Sequence, residues 1–66
     1  MKFKNETSEE ILSHEEFVSF VWEEAERQFV ELHEGEHWCN LTKEEQIAIY
    51  CEQYEHQLND RDWVIV

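Results

Sequence analysis

From position 14 onward the apolar residues recur every three or four places. Phe17, Val18, Val21, Trp22, Ala25, Phe29 and Leu32 fall on one side of a helix at ~100° per residue. Glu16, Ser19, Glu23, Glu26 and Arg27 lie opposite them. Ser13 followed by Glu16 has capping-box spacing, in which the hydroxyl accepts one free backbone N–H and the carboxylate accepts another. Gly35 stands where a left-handed C′ residue would end the run. The pattern predicts a first helix over about 14–34. Thr42 and Glu45 repeat the capping box, and Ile47, Tyr50, Cys51, Tyr54 and Leu58 trace a second stripe closed by Asn59 and Asp60. That pattern predicts a second helix over about 43–58. The link, 36–41, is short, so an antiparallel hairpin with facing stripes is expected. Its core would be Phe17, Val21, Ala25, Phe29, Ile47, Cys51, Tyr54 and Leu58.

Outside these segments the period is lost. Thr7 and Glu10 repeat the box spacing and predict one short helical turn over Ser8–Leu12. The extended tail, 60–66, ends in Trp63, Val64, Ile65 and Val66, all good β-formers. Phe3, flanked by Lys2 and Lys4, marks a first segment able to pair with that tail. Two short strands are marginal by themselves. The expected fold class is therefore all-α or mainly α. One small acidic helical domain would span 1–66, as a two-helix antiparallel hairpin with at most a two-stranded pairing of its ends.

Composition narrows what such a hairpin can do. Sixty-six residues make one domain, near the size at which a chain needs a dense core to fold unaided. Three Trp, four Phe and two Tyr supply that density. There is no proline and one glycine, which excludes a glycine-rich phosphate loop and the many tight turns of a barrel or sandwich. No stretch resembles a membrane span or a secretory leader, and two cysteines without a disulfide pattern read as reduced thiols, so a cytoplasmic setting is expected.

Charge changes the picture most. Seventeen acidic residues against five basic ones give a net charge of −12, which repels nucleic acid and anionic membranes alike. On the first helix Glu15, Glu16, Glu23, Glu24, Glu26, Glu31 and Glu34 place a carboxylate every ~4.5 Å of axis. A DNA strand carries one phosphate per ~3.4 Å. Only Arg27 interrupts the run, so the Glu–Lys pairs of an ordinary solvated helix are missing. Solubility alone is the competing explanation.

Other chemistry is weaker. His33, His37, Cys39, Cys51 and His56 are zinc-competent, but their spacings match no standard finger or ribbon and Gly35 separates His33 from His37. Metal and cofactor are therefore not expected. A Cys–His nucleophile needs positive surroundings that this chain lacks, so no enzyme is expected. Asn59–Asp62 lacks the glycine and closing glutamate of a calcium loop. Phe20, Val30, Ile49, Trp38 and Trp63 lie off the stripes, either as partner anchors, as a homodimer contact, or covered by the chain's own ends.

The expected function is an acidic inhibitor or regulator that occupies a basic nucleic-acid-binding surface of another protein, a nucleic-acid-binding protein or nuclease being favoured. Glu16, Glu23, Glu26, Glu31 and Glu34 would replace phosphates while Phe20, Trp38 and Trp63 fix register. The physical analogy is with DNA mimics of the anti-restriction and anti-CRISPR kind from phages and mobile elements. The alternative is a homodimeric interaction module or antitoxin-like partner, whose acidity only solubilises it.

Overall fold

A computed structural model describes residues 1–66. The elements run β1 (Lys2–Asn5), β2 (Ile11–Ser13), α1 (His14–Leu32), a 3₁₀ turn (Trp38–Asn40), α2 (Lys43–Asp60) and β3 (Trp63–Ile65). Both helices begin at the expected boxes. Ser13 Oγ accepts the Glu16 N–H at 3.2 Å while Glu16 Oε1 accepts the Ser13 N–H at 3.0 Å. Thr42 and Glu45 reproduce the same two bonds at 3.2 and 3.0 Å. Helix α1 stops at Leu32, capped by His33, whose N–H reaches the Phe29 carbonyl at 2.9 Å. Gly35 is left-handed (φ 83°) but lies in the turn beyond, not at the C′ position expected of it.

The mainly α fold class does not hold. The terminal segments build a three-stranded antiparallel sheet of order β2-β1-β3, with helices on one face. Phe3 lies opposite Leu12 on one side and Ile65 on the other. Residues directly opposite share a face, so these point one way while Lys4, Ile11 and Val64 point the other. The helical turn expected over Ser8–Leu12 is instead a β1–β2 connection running into a strand. Asn5 explains it: its Oδ1 accepts the N–H groups of Thr7 (3.0 Å) and Ser8 (2.9 Å), the turn-making habit of Asn. Glu9 then adopts φ 63°, and the Asn5 N–H closes on the Glu10 carbonyl at 2.9 Å.

A second turn is tied to the first. Asp62, also left-handed at φ 63°, accepts the Thr7 hydroxyl at 2.7 Å, and its carbonyl takes the Glu6 N–H at 2.9 Å. Asn5 Nδ2 donates to the Arg61 carbonyl at 3.1 Å.

The core sits between the sheet and the helices. Phe3, Phe17, Val21 and Trp63 are buried together, with Leu12, Phe20, Tyr50, Tyr54 and Leu58 packed around them. Phe3 and Phe17 stack at 3.9 Å between centroids, 8° from parallel. On α1 the buried residues are Phe17, Val21, Ala25 and Phe29, the four expected there. On α2 the expectation holds for Tyr54 and Leu58, which pack against the core, and fails for Ile47 and Cys51. Ile47 is 43% exposed and Cys51 is exposed, while Gln53 and Gln57 are buried. The helix is turned so that Gln53 and Gln57 are buried, while Tyr50 stacks on Trp22 of α1 at 4.5 Å and Tyr54 stands edge-on to Phe17 at 5.4 Å. Gln46 secures one end by donating from Nε2 to the Trp38 carbonyl at 3.0 Å.

Candidate protein-binding surfaces

The exposed half of α1 carries the charge. At ~100° per residue Glu15, Glu26, Glu23, Glu16, Glu31 and Glu24 spread over about half the helix circumference, opposite Phe17, Val21, Ala25 and Phe29. The only cation among them is spoken for: Arg27 donates from one nitrogen to Glu24 and from another to Glu31 at 2.8 Å. Glu24 chiefly, with Glu31 behind it, raises the pKa of the Arg27 guanidinium above its ordinary value. Glu16 is held by the capping box, where the Ser13 backbone N–H, then the Ser13 side chain, lowers its carboxyl below the usual 4.5. Glu15, Glu23 and Glu26 have neither cation nor cap within hydrogen-bonding reach. Glu34 lies past the end of α1, exposed in the turn that holds Gly35.

The remaining basic residues sit elsewhere. Lys2 and Lys4 are on the sheet, Lys43 opens α2, and Arg61 caps its end, donating from Nε to His56 Nε2 at 3.4 Å. The molecule thus separates an acidic helical face from a sheet that carries the lysines of β1.

The aromatic residues marked as anchors are placed differently from one another. Trp63 is 4% exposed and packs edge-on against Phe17 at 5.4 Å, so it belongs to the core and is not presented to a partner. Phe20 is half-buried beside it at 5.6 Å. Trp38 is half-buried at the far end of the hairpin, edge-on to Trp22 (6.3 Å) and Phe29 (5.9 Å). There Tyr50 stacks on Trp22 at 4.5 Å, and burial, with smaller pushes from Tyr54 and Cys51, raises its phenol above 10.0. Of the other off-stripe residues Val30 stays exposed and Ile49 is half-buried.

The zinc-competent residues are dispersed. No three His, Cys, Asp or Glu side chains gather closely enough to hold a metal ion. His33 pairs with Glu36 at 3.1 Å and His56 with Asp60 at 3.0 Å. Cys39 and Cys51 are exposed, unpaired thiols. No helix is long and apolar enough to cross a membrane.

One surface was invisible in the sequence. Between α1 and α2 runs a groove of about 590 Å³, bordered by Phe29 and Leu32 on one helix and by Ile49, Gln53 and His56 on the other. Gln53 Oε1 is buried and has no hydrogen-bond donor. A buried acceptor left unpaired costs about 1–3 kcal/mol. The signal that could have found this groove is the spacing of Gln46, Gln53 and Gln57 with Ile49, a polar-edged stripe overshadowed by the more apolar one beside it.

Comparison of this chain with protein-family models, with curated proteins and with solved structures returns no match in any of the three.

Proposed function

We propose that this protein is a non-catalytic acidic regulator that occupies a basic, nucleic-acid-binding surface on another protein, with the exposed half of α1 as its contact. The observation that carries the reading is the lack of local compensation: Arg27 is already shared by Glu24 and Glu31, Glu23 and Glu26 have no cation near them, and Glu15 meets only the positive end of the helix. A helix keeps such repulsion at a cost to its own stability. A basic groove offsets that cost on binding and speeds encounter. Rigid presentation supports the reading too, because the face opposite these carboxylates is anchored by Phe17, Val21, Ala25 and Phe29.

The experiment pairs capture with a charge variant. Wild-type protein immobilised in lysate of its native cells should retain a nuclease, polymerase or other DNA-binding protein, and DNA should release it. In E15Q/E23Q/E26Q the helix should persist and the melting temperature hold or rise, since Gln is nearly isosteric and like charges are removed. Affinity for the captured protein should fall ~10-fold or more, and the loss should shrink as salt is raised. Unchanged affinity in the variant would leave the glutamates as a solvated face only.

A second reading has its own observation. Ile11 and the backbone edge of β2 are exposed at one side of the sheet. A homodimer formed there would hide them, and the acidity would then only solubilise the pair. Sedimentation distinguishes it: a dimer that strengthens with salt and is lost in Ile11→Lys supports this reading, and a monomer at high concentration and high salt removes it.

A further inference from the structure

We infer that the cleft where α1, α2 and the β1–β2 turn meet receives a carboxylate side chain of the protein partner, with Arg61 as its cation. The cleft holds about 330 Å³ and shares no lining residue with the larger groove. Gln57 and Arg61 line it one helical turn apart on the α2 side. Gln57 is 4% exposed, and its amide makes no hydrogen bond within the chain. Only Gln53 Oε1 is both fully enclosed and unpaired, so both polar atoms of the Gln57 amide keep accessible surface, and the cleft is what Gln57 borders. Arg61 uses Nε on His56 Nε2 at 3.4 Å and has no carboxylate within ion-pairing distance, in a molecule with 17 acidic residues. Its two terminal nitrogens are free. The Ser8 hydroxyl accepts the Glu10 N–H at 3.3 Å and keeps its own proton to donate.

Three unused donor groups therefore line one cleft: the Arg61 fork, Gln57 Nε2 and the Ser8 hydroxyl. A carboxylate has acceptor sites for all of them and takes a guanidinium with two parallel bonds. Of the carboxylates already there, Glu24 is engaged by Arg27 and Glu10 pairs with no cation. Arg27 and Arg61 balance Glu10 and Glu24, so an anion meets less repulsion here than over the acidic half of α1. A cation would face two guanidiniums, and a neutral ligand would leave Arg61 unanswered. Position indicates the source. Glu24 and Arg27 belong both to this cleft and to the exposed half of α1, so a protein held on that half lays its adjoining surface over the cleft. The inference rests on the proposed function in that respect and adds selectivity to it. A ladder of carboxylates suits any basic groove, whereas Arg61 and Gln57 favour one with an Asp or Glu at its rim.

The test is a titration of the isotopically labelled full chain with N-acetyl-glutamate N-methylamide, followed by nuclear magnetic resonance. Saturable shifts should centre on the Gln57 side-chain amide, the Arg61 Nε–H and the Ser8 amide. The neutral isostere N-acetyl-glutamine N-methylamide should bind ~10-fold more weakly or not at all. Arg61→Gln, at an exposed side chain, should leave the rest of the spectrum in place and weaken the probe ~10-fold or more. Gln57→Leu keeps the site filled and should weaken it as well. The absence of saturable shifts, or binding undiminished in Arg61→Gln, would overturn the site. Inorganic phosphate binding as tightly as the probe would overturn the choice of a carboxylate. Citrate binding more tightly than the probe would overturn the protein side chain in favour of a free polycarboxylate. E15Q/E23Q/E26Q should not weaken this titration, so failure of the cleft and failure of the α1 contact are separately visible.

Discussion

The two ends of the hairpin are built from the same kinds of residue and to different standards. At the sheet end Phe3, Phe17, Val21 and Trp63 are buried, and two turns are tied together through Asn5, Thr7 and Asp62. Toward the loop end Trp38 meets Trp22 and Phe29 and stays half-buried, and Leu32, the last residue of α1, is 76% exposed. The difference lies in layers. A helix pair alone offers one buried seam, whereas a sheet laid across it closes a second side. The sheet is short and reaches only one end of helices that give the molecule a length of 36 Å against a width of 19 Å. Stability is therefore concentrated at the sheet, and the loop end and groove are left able to adjust.

Truncation of one tryptophan at each end tests this most severely. Trp63→Ala should cost ~3–5 kcal/mol, enough to unfold a domain of this size, whereas Trp38→Ala, at a half-buried ring, should cost about 1–2 kcal/mol. Urea denaturation of both variants provides the check, and equal costs would erase the distinction between the ends.

The capping boxes sharpen the contrast, because they share one geometry and differ only in position. Ser13→Ala and Thr42→Ala should each cost about 1 kcal/mol by chemistry alone. Ser13 is also the last residue of β2, so its loss should appear as global destabilisation. Thr42 opens α2 at the loop end, so its loss should appear first as faster hydrogen exchange over the first turns of α2. Exchange accelerated equally throughout in both variants would contradict local opening.

Acidity gives a smaller, graded effect. Glu16 and Glu45 both have carboxyls lowered from 4.5, each chiefly by the backbone N–H of its capping partner. A lowered folded value means that their contribution is fully present above 4.5 and is lost as the pH falls through that lowered value. The melting-temperature gap between wild type and E16Q/E45Q should therefore be constant near neutrality and close in acid. A gap independent of pH would mean that these carboxylates cap without their charge. The smallest effect is expected at Glu9, whose left-handed backbone suits glycine. Glu9→Gly should stabilise the sheet end by up to ~1 kcal/mol, measurable as a raised denaturation midpoint.

Helix positions were legible because their signals are local. A serine or threonine three places before a glutamate marks the helix start at Ser13 and Thr42, where an apolar helical period follows, and misleads at Thr7, where none does; the spacing of Phe17, Val21, Ala25 and Phe29 identifies the face of α1 that is buried. The face of α2 was not legible, because two overlapping stripes compete on that helix. Ile47 and Cys51 make the more apolar one. The chain instead buries Gln53 and Gln57. Strand β2 was hidden for another reason: three residues carry too little periodicity, and Ser13 serves both as its end and as the cap of α1. Trp63 looked like a surface anchor because nothing local in the sequence shows that β3 turns its ring onto Phe17 and Phe20 of α1. The acidic run on α1 could be read directly from the sequence. The groove could not, since it exists only through the rotation of α2.

The three tryptophans are divided between the ends, Trp63 in the sheet-end core and Trp22 with Trp38 at the loop end. The molecule's own fluorescence therefore has two addresses. A ring shielded from water emits further to the blue than one half in contact with it, so a loosening of the loop end would redden part of the spectrum and leave the Trp63 component in place. Quenchers would read the same division through charge. With −12 on the surface, iodide is kept at a distance while a cationic quencher is drawn in, and it would reach Trp22 and Trp38 long before Trp63.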